Sequence, residues 1–219
     1  MTTTRDGIAS ERVAEALRSA ILRGEFEPGT RIRQEAVASD HGASRLPVRE
    51  ALRMLESEGL VTVVANTGAW VSQLNFEECD ELYQIRERIE PLLLRYSVPN
   101  LSDAAIAHLD ALAAEMEEIR DVERFLELDR EFHLGVYAGA STLMLSDTVH
   151  RLWNTTQHYR RAYSRRLDAD GNRIVHDEHH MLVRAIERRD IEDAERVLLG
   201  HIRRTRLELA RHPEIFVHS

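Results

Sequence analysis

Apolar positions in the first 75 residues recur at helical spacing, but only in short runs interrupted by glycine and proline. Two β-rich runs, 60–64 and 69–71, flank Asn66-Thr67-Gly68 and predict a short hairpin. The helical spacing predicts three short helices, at 11–23, 34–40 and 45–58. Ser10 and Ser44 stand where they can cap the first and third of these helices. Three helices followed by a two-stranded wing predict a winged helix-turn-helix domain over 1–75.

The rest of the chain has a different pattern, because no proline interrupts it between Pro99 and Pro213. Its apolar spacing predicts six helices, at 76–98, 102–120, 122–138, 141–167, 173–189 and 191–210. The first of them should turn Leu82, Ile85, Ile89, Leu92 and Leu93 inward. We therefore predict a mainly α protein: a winged helix-turn-helix over 1–75 and an all-α bundle of about six helices over 76–219.

Composition limits the class of protein. Hydrophobic residues make up 43% of the 219 positions, which is enough for a core, and the single cysteine excludes an internal disulfide. No stretch has the length of a membrane span and no signal peptide is visible, so we expect a cytoplasmic protein with no membrane partner. The net charge of −9 argues against nucleic-acid binding, but residues 31–53 hold five arginines against three acidic residues.

The third predicted helix lies in that basic segment. Arg45 and Arg49 are four residues apart and share one helical face, from which guanidinium groups can reach guanine edges. Ser44 and the helix N-terminus can hold a phosphate. This spacing favours DNA binding, although a solvated face paired with neighbouring glutamates would show the same pattern.

A second candidate site lies in the helical part. Asp129 and His133 project from one helical face, while His179 and His201 each lie eleven residues from Asp190 at a predicted tight turn. In an antiparallel helical hairpin, equal offsets put both side chains at the same height, about 16 Å from the turn. Three imidazoles and a carboxylate suit Zn, Ni, Mn or Fe. The alternatives are ordinary surface histidines, since the chain has eleven, or another pair such as His176 with His180.

The segment Ser44-Arg-Leu-Pro-Val-Arg-Glu-Ala-Leu52, within a longer match that begins at Arg31, resembles the DNA-binding domain of GntR-family transcription regulators. The resemblance implies base or phosphate contacts from Arg45 and Arg49, with Ser44 on the DNA backbone and the wing tip near the backbone or minor groove. The DNA-contacting residues expected from this resemblance are Arg31, Ser44, Arg45, Arg49, Asn66, Thr67 and Gly68.

The order Asp129-x-x-x-His133, Glu178-His179-x-x-Leu-x-x-Ala-Ile186 and a late histidine is similar to the FCD ligand-binding domain of the FadR-like GntR branch. The resemblance implies that Asp129, His133, His179 and His201, rather than His180, hold a divalent metal ion, with Zn the first choice. It also implies that a small carboxylate binds at that metal. The helix over 82–90 resembles one whose arginine faces the ligand cavity, which assigns Arg86 to the effector. An intrahelical pair with Glu90 is the alternative for this arginine.

These patterns favour a homodimeric transcription regulator that binds a pseudo-palindromic operator in double-stranded DNA and responds to a small organic acid at a metal centre. Two alternatives stay open. The same ligands would suit a metalloenzyme acting on a small carboxylate, for which Glu178 is the only candidate base. The protein could instead sense the metal ion itself.

Overall fold

The structure of the protein is a computed structural model that describes residues 5–65 and 67–216. Within this part of the chain, the mainly α fold predicted from the sequence is confirmed. The helices are α1 (Arg5–Leu22), α2 (Gln34–Asp40), α3 (Arg45–Ser57), α4 (Phe76–Ser97), α5 (Asp103–Glu118), α6 (Val122–Val136), α7 (Leu145–Ser164), α8 (Ala169–Glu187) and α9 (Ile191–Leu209). The strands are β1 (Arg31–Ile32), β2 (Val61–Val64) and β3 (Gly68–Val71), and Val98–Asn100 and Pro213–Phe216 form 3₁₀ turns.

The described residues divide into two compact units. Unit 1 contains the chain up to Leu74 together with Arg151–His158 from the middle of α7. Unit 2 contains Asn75–His150 and the chain from Tyr159 onward. One helix therefore contributes to both units.

Unit 1 packs α1 and α2 against α3 and places a small antiparallel sheet beside them. The sheet order is β1-β3-β2, with Val61 opposite Val71 and Val64 opposite Gly68. The hairpin was predicted, but β1 was not, because two residues carry no periodicity. The buried core includes Val13, Leu17, Ile32, Val48, Leu52, Leu55, Val61, Ala69 and Val71.

The two predicted serine caps are wrong, because neither serine side chain accepts a capping hydrogen bond at the start of its helix. The first helix starts before Ser10, whose buried hydroxyl donates to the Asp6 carbonyl oxygen at 2.8 Å from inside α1. Ser44 does occupy the N-cap position of α3, but its side chain makes no capping hydrogen bond. Both serines therefore have a different role from the one that local sequence indicates.

The end of α3 is fixed by contacts with the α7 segment of unit 1. Asn154 Nδ2 donates to the Glu58 carbonyl oxygen at 3.0 Å, and Thr155 Oγ1 donates to the Gly59 carbonyl oxygen at 3.2 Å. Gly59 has a φ of +79°, and a Cβ there would lie 2.5 Å from Thr155 Oγ1 and 2.9 Å from Arg151 Cγ. Only glycine fits this conformation and this close approach.

In unit 2, α9 packs on α4 and α8, and α5 packs on α6 and α8. The predicted inward face of α4 is wrong in part. Ile85 and Leu92 are 37% and 40% exposed, whereas the charged Arg86 and Glu90 are 2% and 0% exposed. A buried ion pair thus occupies the inward face of α4, where the apolar pattern had predicted Ile85 and Leu92. Within residues 5–65 and 67–216, no helix has both the length and the apolar character that crossing a bilayer requires.

Candidate metal centre and DNA-contacting surface

Four metal-ligand side chains converge inside unit 2. Asp129 and His133 lie one turn apart on α6, His179 lies on α8 and His201 on α9. The carboxylate of Asp190 accepts a hydrogen bond from a backbone N–H in the first turn of α9 and so starts this helix directly after α8. The His179 and His201 rings lie 5.1 Å apart between centroids, as their equal offsets from the turn predict. One ligand atom from each of the four side chains lies within 4.8 Å of the others.

The distances within the cluster suit a single ion. Asp129 Oδ1 lies 3.5 Å from His133 Nε2 and 3.4 Å from His179 Nε2. Ligand atoms at zinc bond lengths in a tetrahedral arrangement are about 3.3 Å apart. These two distances are therefore close to those expected between ligand atoms around one ion, and an ion would fit with small side-chain movements.

The histidines of the cluster are held neutral, which is the form that binds a metal. Burial, reinforced by the neighbouring His201, holds the pKa of His133 well below its usual value. Burial, with His201 and His133 nearby, does the same to the pKa of His179. Burial and the positive charges of Arg160 and Arg86 lower the pKa of His201 to about 4. Each ring therefore offers an unprotonated nitrogen at neutral pH.

The environment of His179 fits a metal ligand. Its side chain is 1% exposed, and neither ring nitrogen has a hydrogen-bond partner among the described residues. Buried polar groups in proteins are nearly always hydrogen-bonded, so an exception calls for a ligand such as an ion. His180 instead lies beside Glu117, with its Nε2 3.4 Å from a carboxylate oxygen, and His176 packs on Phe125. The choice of His179 over its neighbours thus agrees with the geometry.

Two charged side chains that the sequence reasoning did not assign to the cluster contact its members. The Arg160 guanidinium, on α7, contacts Asp129 Oδ2. Glu178 Oε2 lies 2.8 Å from His201 Nδ1 across the α8–α9 seam. Spacing alone could not have found either residue, because each contact joins different helices. Ionic partners of this kind orient metal ligands in proteins.

Arg86, the predicted effector residue, lies in a buried polar network. Its Nε donates to Glu90 Oε1 at 2.5 Å, and the Tyr137 hydroxyl donates to Glu90 Oε2 at 2.7 Å. The guanidinium also lies over the Tyr83 ring, 4.8 Å from its centroid. The intrahelical pair left open by the sequence is thus present, and an effector would have to bind Arg86 in competition with Glu90.

The exposed face of α3 presents the predicted DNA-contacting arginines. The Arg45 side chain is 76% exposed and lies 3.5 Å from a carboxylate oxygen of Glu35, and Arg49 is also exposed. Ser44 is exposed at the N-terminus of the same helix, and its hydroxyl is not used in capping. The buried side of α3, which includes Val48 and Leu52, packs in the core of unit 1.

Arg31, on β1, contacts the wing tip in addition to the backbone pairing of β1 with β3. Arg31 Nη2 donates to the Thr67 carbonyl oxygen at 2.9 Å, and its guanidinium lies 5.7 Å from the Trp70 ring centroid. A Cβ on Gly68 would lie 3.3 Å from Arg31 Nε. Arg31 therefore supports the wing tip in addition to any contact with DNA. Asn66, also predicted to contact DNA, lies outside the described residues.

A winged helix-turn-helix with exposed arginines on its third helix, followed by an all-helical domain, is the architecture of a DNA-binding transcription regulator. Residues 9–71 match the bacterial regulatory proteins of the gntR family, and residues 81–204 match the FCD domain. The chain belongs to the GntR family of transcription regulators, with an FCD domain as its second domain.

Named relatives are transcription regulators. The chain is 28% identical to the Nta operon transcriptional regulator of Aminobacter aminovorans over 82% of this chain and 84% of that protein. It is also 28% identical to the transcriptional repressor GlaR of Escherichia coli, over 85% of this chain and 89% of that one. The E. coli McbR/YncC structure has the same fold, with a TM-score of 0.80 at 23% identity over 93% of this chain and 97% of that one. The chain is thus a regulator and not a metalloenzyme.

Proposed function

We propose that this regulator binds its operator with an affinity controlled by a small organic acid held at a metal centre in the FCD domain. The observation that carries the proposal is the set of three neutral imidazoles and one carboxylate, buried except for the half-buried His201, whose ligand atoms all lie within 4.8 Å of one another. Asp129, His133, His179 and His201 would hold a divalent ion, with zinc the first choice and nickel, manganese or iron the alternatives. The ion would supply a positive charge and open coordination positions for a carboxylate.

The effector is proposed to be anionic because a divalent ion would add two positive charges beside Arg86 and Arg160. Arg86 and Arg160 both act on the pKa of His201, so both positive charges are close to the ligand set. A guanidinium binds a carboxylate through two hydrogen bonds, which gives Arg86 the role of holding the acid while another of its oxygens meets the metal. Glu90 competes for the same guanidinium and so favours effectors that bind the metal as well.

DNA binding is proposed to use the exposed residues of unit 1. Arg45 and Arg49 would contact bases or phosphates in the major groove, and Ser44 would contact a phosphate at the helix N-terminus. The wing tip, which includes Thr67 and Gly68, would approach the backbone or the minor groove, together with Asn66 and with Arg31 supporting it.

A homodimer is proposed because a second copy would cover exposed apolar side chains on α4. Ile85, Leu92 and Tyr96 are 37%, 40% and 51% exposed, and their spacing of seven and four residues puts them on one helical face. Two copies related by a two-fold axis would present two copies of α3, the helix that carries Arg45 and Arg49, and this suits a pseudo-palindromic operator.

Helix α7 offers a physical route from the sensing site to the DNA-binding unit. Within unit 2 its Arg160 contacts Asp129, and within unit 1 its Thr155 donates to the carbonyl oxygen of Gly59, directly after α3. These two α7 residues are five positions apart, about 7.5 Å along the helix axis. An effector that changes the contact between Arg160 and Asp129 would shift α7 and, with it, the end of α3.

The test begins with DNA selected by the purified protein from a randomised double-stranded library, followed by fluorescence anisotropy with the selected sequence. We expect Arg45→Ala plus Arg49→Ala to weaken binding about 30-fold or more, since each bidentate base contact contributes about 1–3 kcal/mol. Arg196→Ala plus Arg203→Ala removes the same charge from exposed positions on α9 and should change little. Full affinity in the first variant would refute the assigned surface.

The second arm titrates the operator complex with Zn²⁺ alone and then with Zn²⁺ plus a panel of small carboxylates. A change in DNA affinity that needs a carboxylate supports the proposed control. A change with Zn²⁺ alone would identify the metal as the signal. A response that persists in His179→Ala would contradict the assignment of the metal site.

A further inference from the structure

Beside the four proposed ligands, the seam between α8 and α9 contains a carboxylate, Glu178, that contacts one of them. Glu178 precedes His179 on α8, so the two side chains point about 100° apart around the helix. His179 faces Asp129, whereas Glu178 lies 20% exposed between His201 and Arg204 of α9. Its Oε2 is the atom that meets both partners.

We propose that Glu178 is a positioning residue that holds His201 with its proton on Nδ1 and its Nε2 directed to the metal. A carboxylate only accepts hydrogen bonds, so at 2.8 Å the Nδ1 atom must be the donor. A neutral imidazole has one N–H, which leaves Nε2 as the nitrogen with a lone pair. His133 and His179 also approach Asp129 through Nε2, so all three histidines would bind through the same atom.

Arg204 makes this arrangement stable in a partly buried site. Its guanidinium contacts Glu178, and it lies one turn from His201 on α9. The arginine therefore fixes the carboxylate from the outer side while the imidazole holds it from the inner side. A carboxylate hydrogen-bonded to a ligating imidazole raises the basicity of the ring and restricts its rotation, and losing such a partner typically weakens metal binding about 10- to 100-fold.

This inference rests on the proposed metal centre, and its first test measures Zn²⁺ affinity by competition with a chromophoric chelator. We expect Glu178→Ala to raise the dissociation constant about 10- to 100-fold. Glu178→Gln should have a smaller effect, because the amide oxygen still accepts from Nδ1–H without the charge. Glu187→Gln makes the same change at an exposed position of α8 and should bind like the wild type. Wild-type affinity in Glu178→Ala would overturn the inference.

A second measurement separates this inference from the proposed function. NMR spectra correlating ring nitrogens with ring protons in the metal-free protein report which nitrogen of His201 carries the proton. We expect Nδ1–H in the wild type and in Glu178→Gln, and a mixture in Glu178→Ala. A proton on Nε2 in the wild type would overturn the positioning role even if Zn²⁺ binds. If the wild type binds neither Zn²⁺ nor Ni²⁺, Mn²⁺ or Fe²⁺, the metal centre is refuted, and the spectra alone decide the role of Glu178.

Discussion

The proposed metal centre predicts a large change in thermal stability when the ion is added or removed. A ligand that binds only the folded state stabilises it by RT ln(1 + [L]/Kd), which is about 2.7 kcal/mol at 100 times the dissociation constant. For a chain of 219 residues, each kcal/mol moves the melting temperature by about 2–4 °C. Zn²⁺ at that excess should therefore raise the melting temperature of the chelator-treated protein by roughly 5–11 °C.

The assay is differential scanning calorimetry of the metal-free protein with and without Zn²⁺. His179→Ala should lose most of the increase, because it removes a ligand that is 1% exposed at the centre of the cluster. His180→Ala is the matched control: it is the next residue on the same helix, and its side chain is 29% exposed beside Glu117. The increase on adding Zn²⁺ is compared within each variant, so that any packing loss in the metal-free state cancels.

An equal increase in melting temperature in His179→Ala and the wild type would refute the role of His179 as a metal ligand. That role would also be refuted if His180→Ala lost the increase instead, since the ion would then bind on the outer side of α8. No increase in the wild type at any Zn²⁺ concentration, repeated with Ni²⁺, Mn²⁺ and Fe²⁺, would remove the metal from the proposed function.

Three further outcomes follow from buried groups. Gly59→Ala should cost more than 1 kcal/mol of unfolding free energy in urea, because of its positive φ and the Thr155 contact, whereas Gly200→Ala, with open space around it in α9, should be neutral or stabilising; equal effects would contradict this. Glu90→Ala should lower the free energy of unfolding by about 3–5 kcal/mol, because it removes the carboxylate paired with the buried Arg86 charge, and a loss under 1 kcal/mol would show that the pair is dispensable. Burial raises the pKa of Cys79 to about 12, so thiol labelling of the folded protein should stay slow from pH 7 to pH 9 and reach one thiol per chain only in denaturant; rapid labelling at pH 9 would show an accessible thiol.

The sequence predicted what depends on periodicity and on distances along one helix. The spacing of Asp129 and His133 on one face, and the equal offsets of His179 and His201 from the α8–α9 turn, are properties of helix geometry that any α hairpin obeys. The helices of the bundle were predicted for the same reason, since long runs without proline and with regular apolar spacing leave few other structures.

What the sequence missed depends on which surfaces meet. The inward face of α4 was misassigned because the prediction placed apolar residues in the core, whereas the charged pair Arg86–Glu90 is buried there. The contact of Arg160 with Asp129 and that of Glu178 with His201 join residues 31 and 23 positions apart on different helices. Such pairs have no local signature, so only the packed structure identifies them.

Charge balance around the cluster argues for an anionic effector and provides a last test. The buried and half-buried carboxylates near the site are each matched by a guanidinium: Arg86 with Glu90, Arg160 with Asp129, and Arg204 with Glu178. With the histidines neutral, a divalent ion would add two positive charges that no further described pair offsets, and an anion would restore neutrality. Charge-assisted hydrogen bonds exceed neutral ones by about 1–2 kcal/mol, so Zn²⁺-loaded protein should bind succinate roughly 5- to 30-fold more tightly than succinamide in calorimetric titration. Equal affinity for succinate and succinamide would show that charge does not select the effector. Unchanged succinate affinity in Arg86→Ala would show that the metal, and not Arg86, selects the acid.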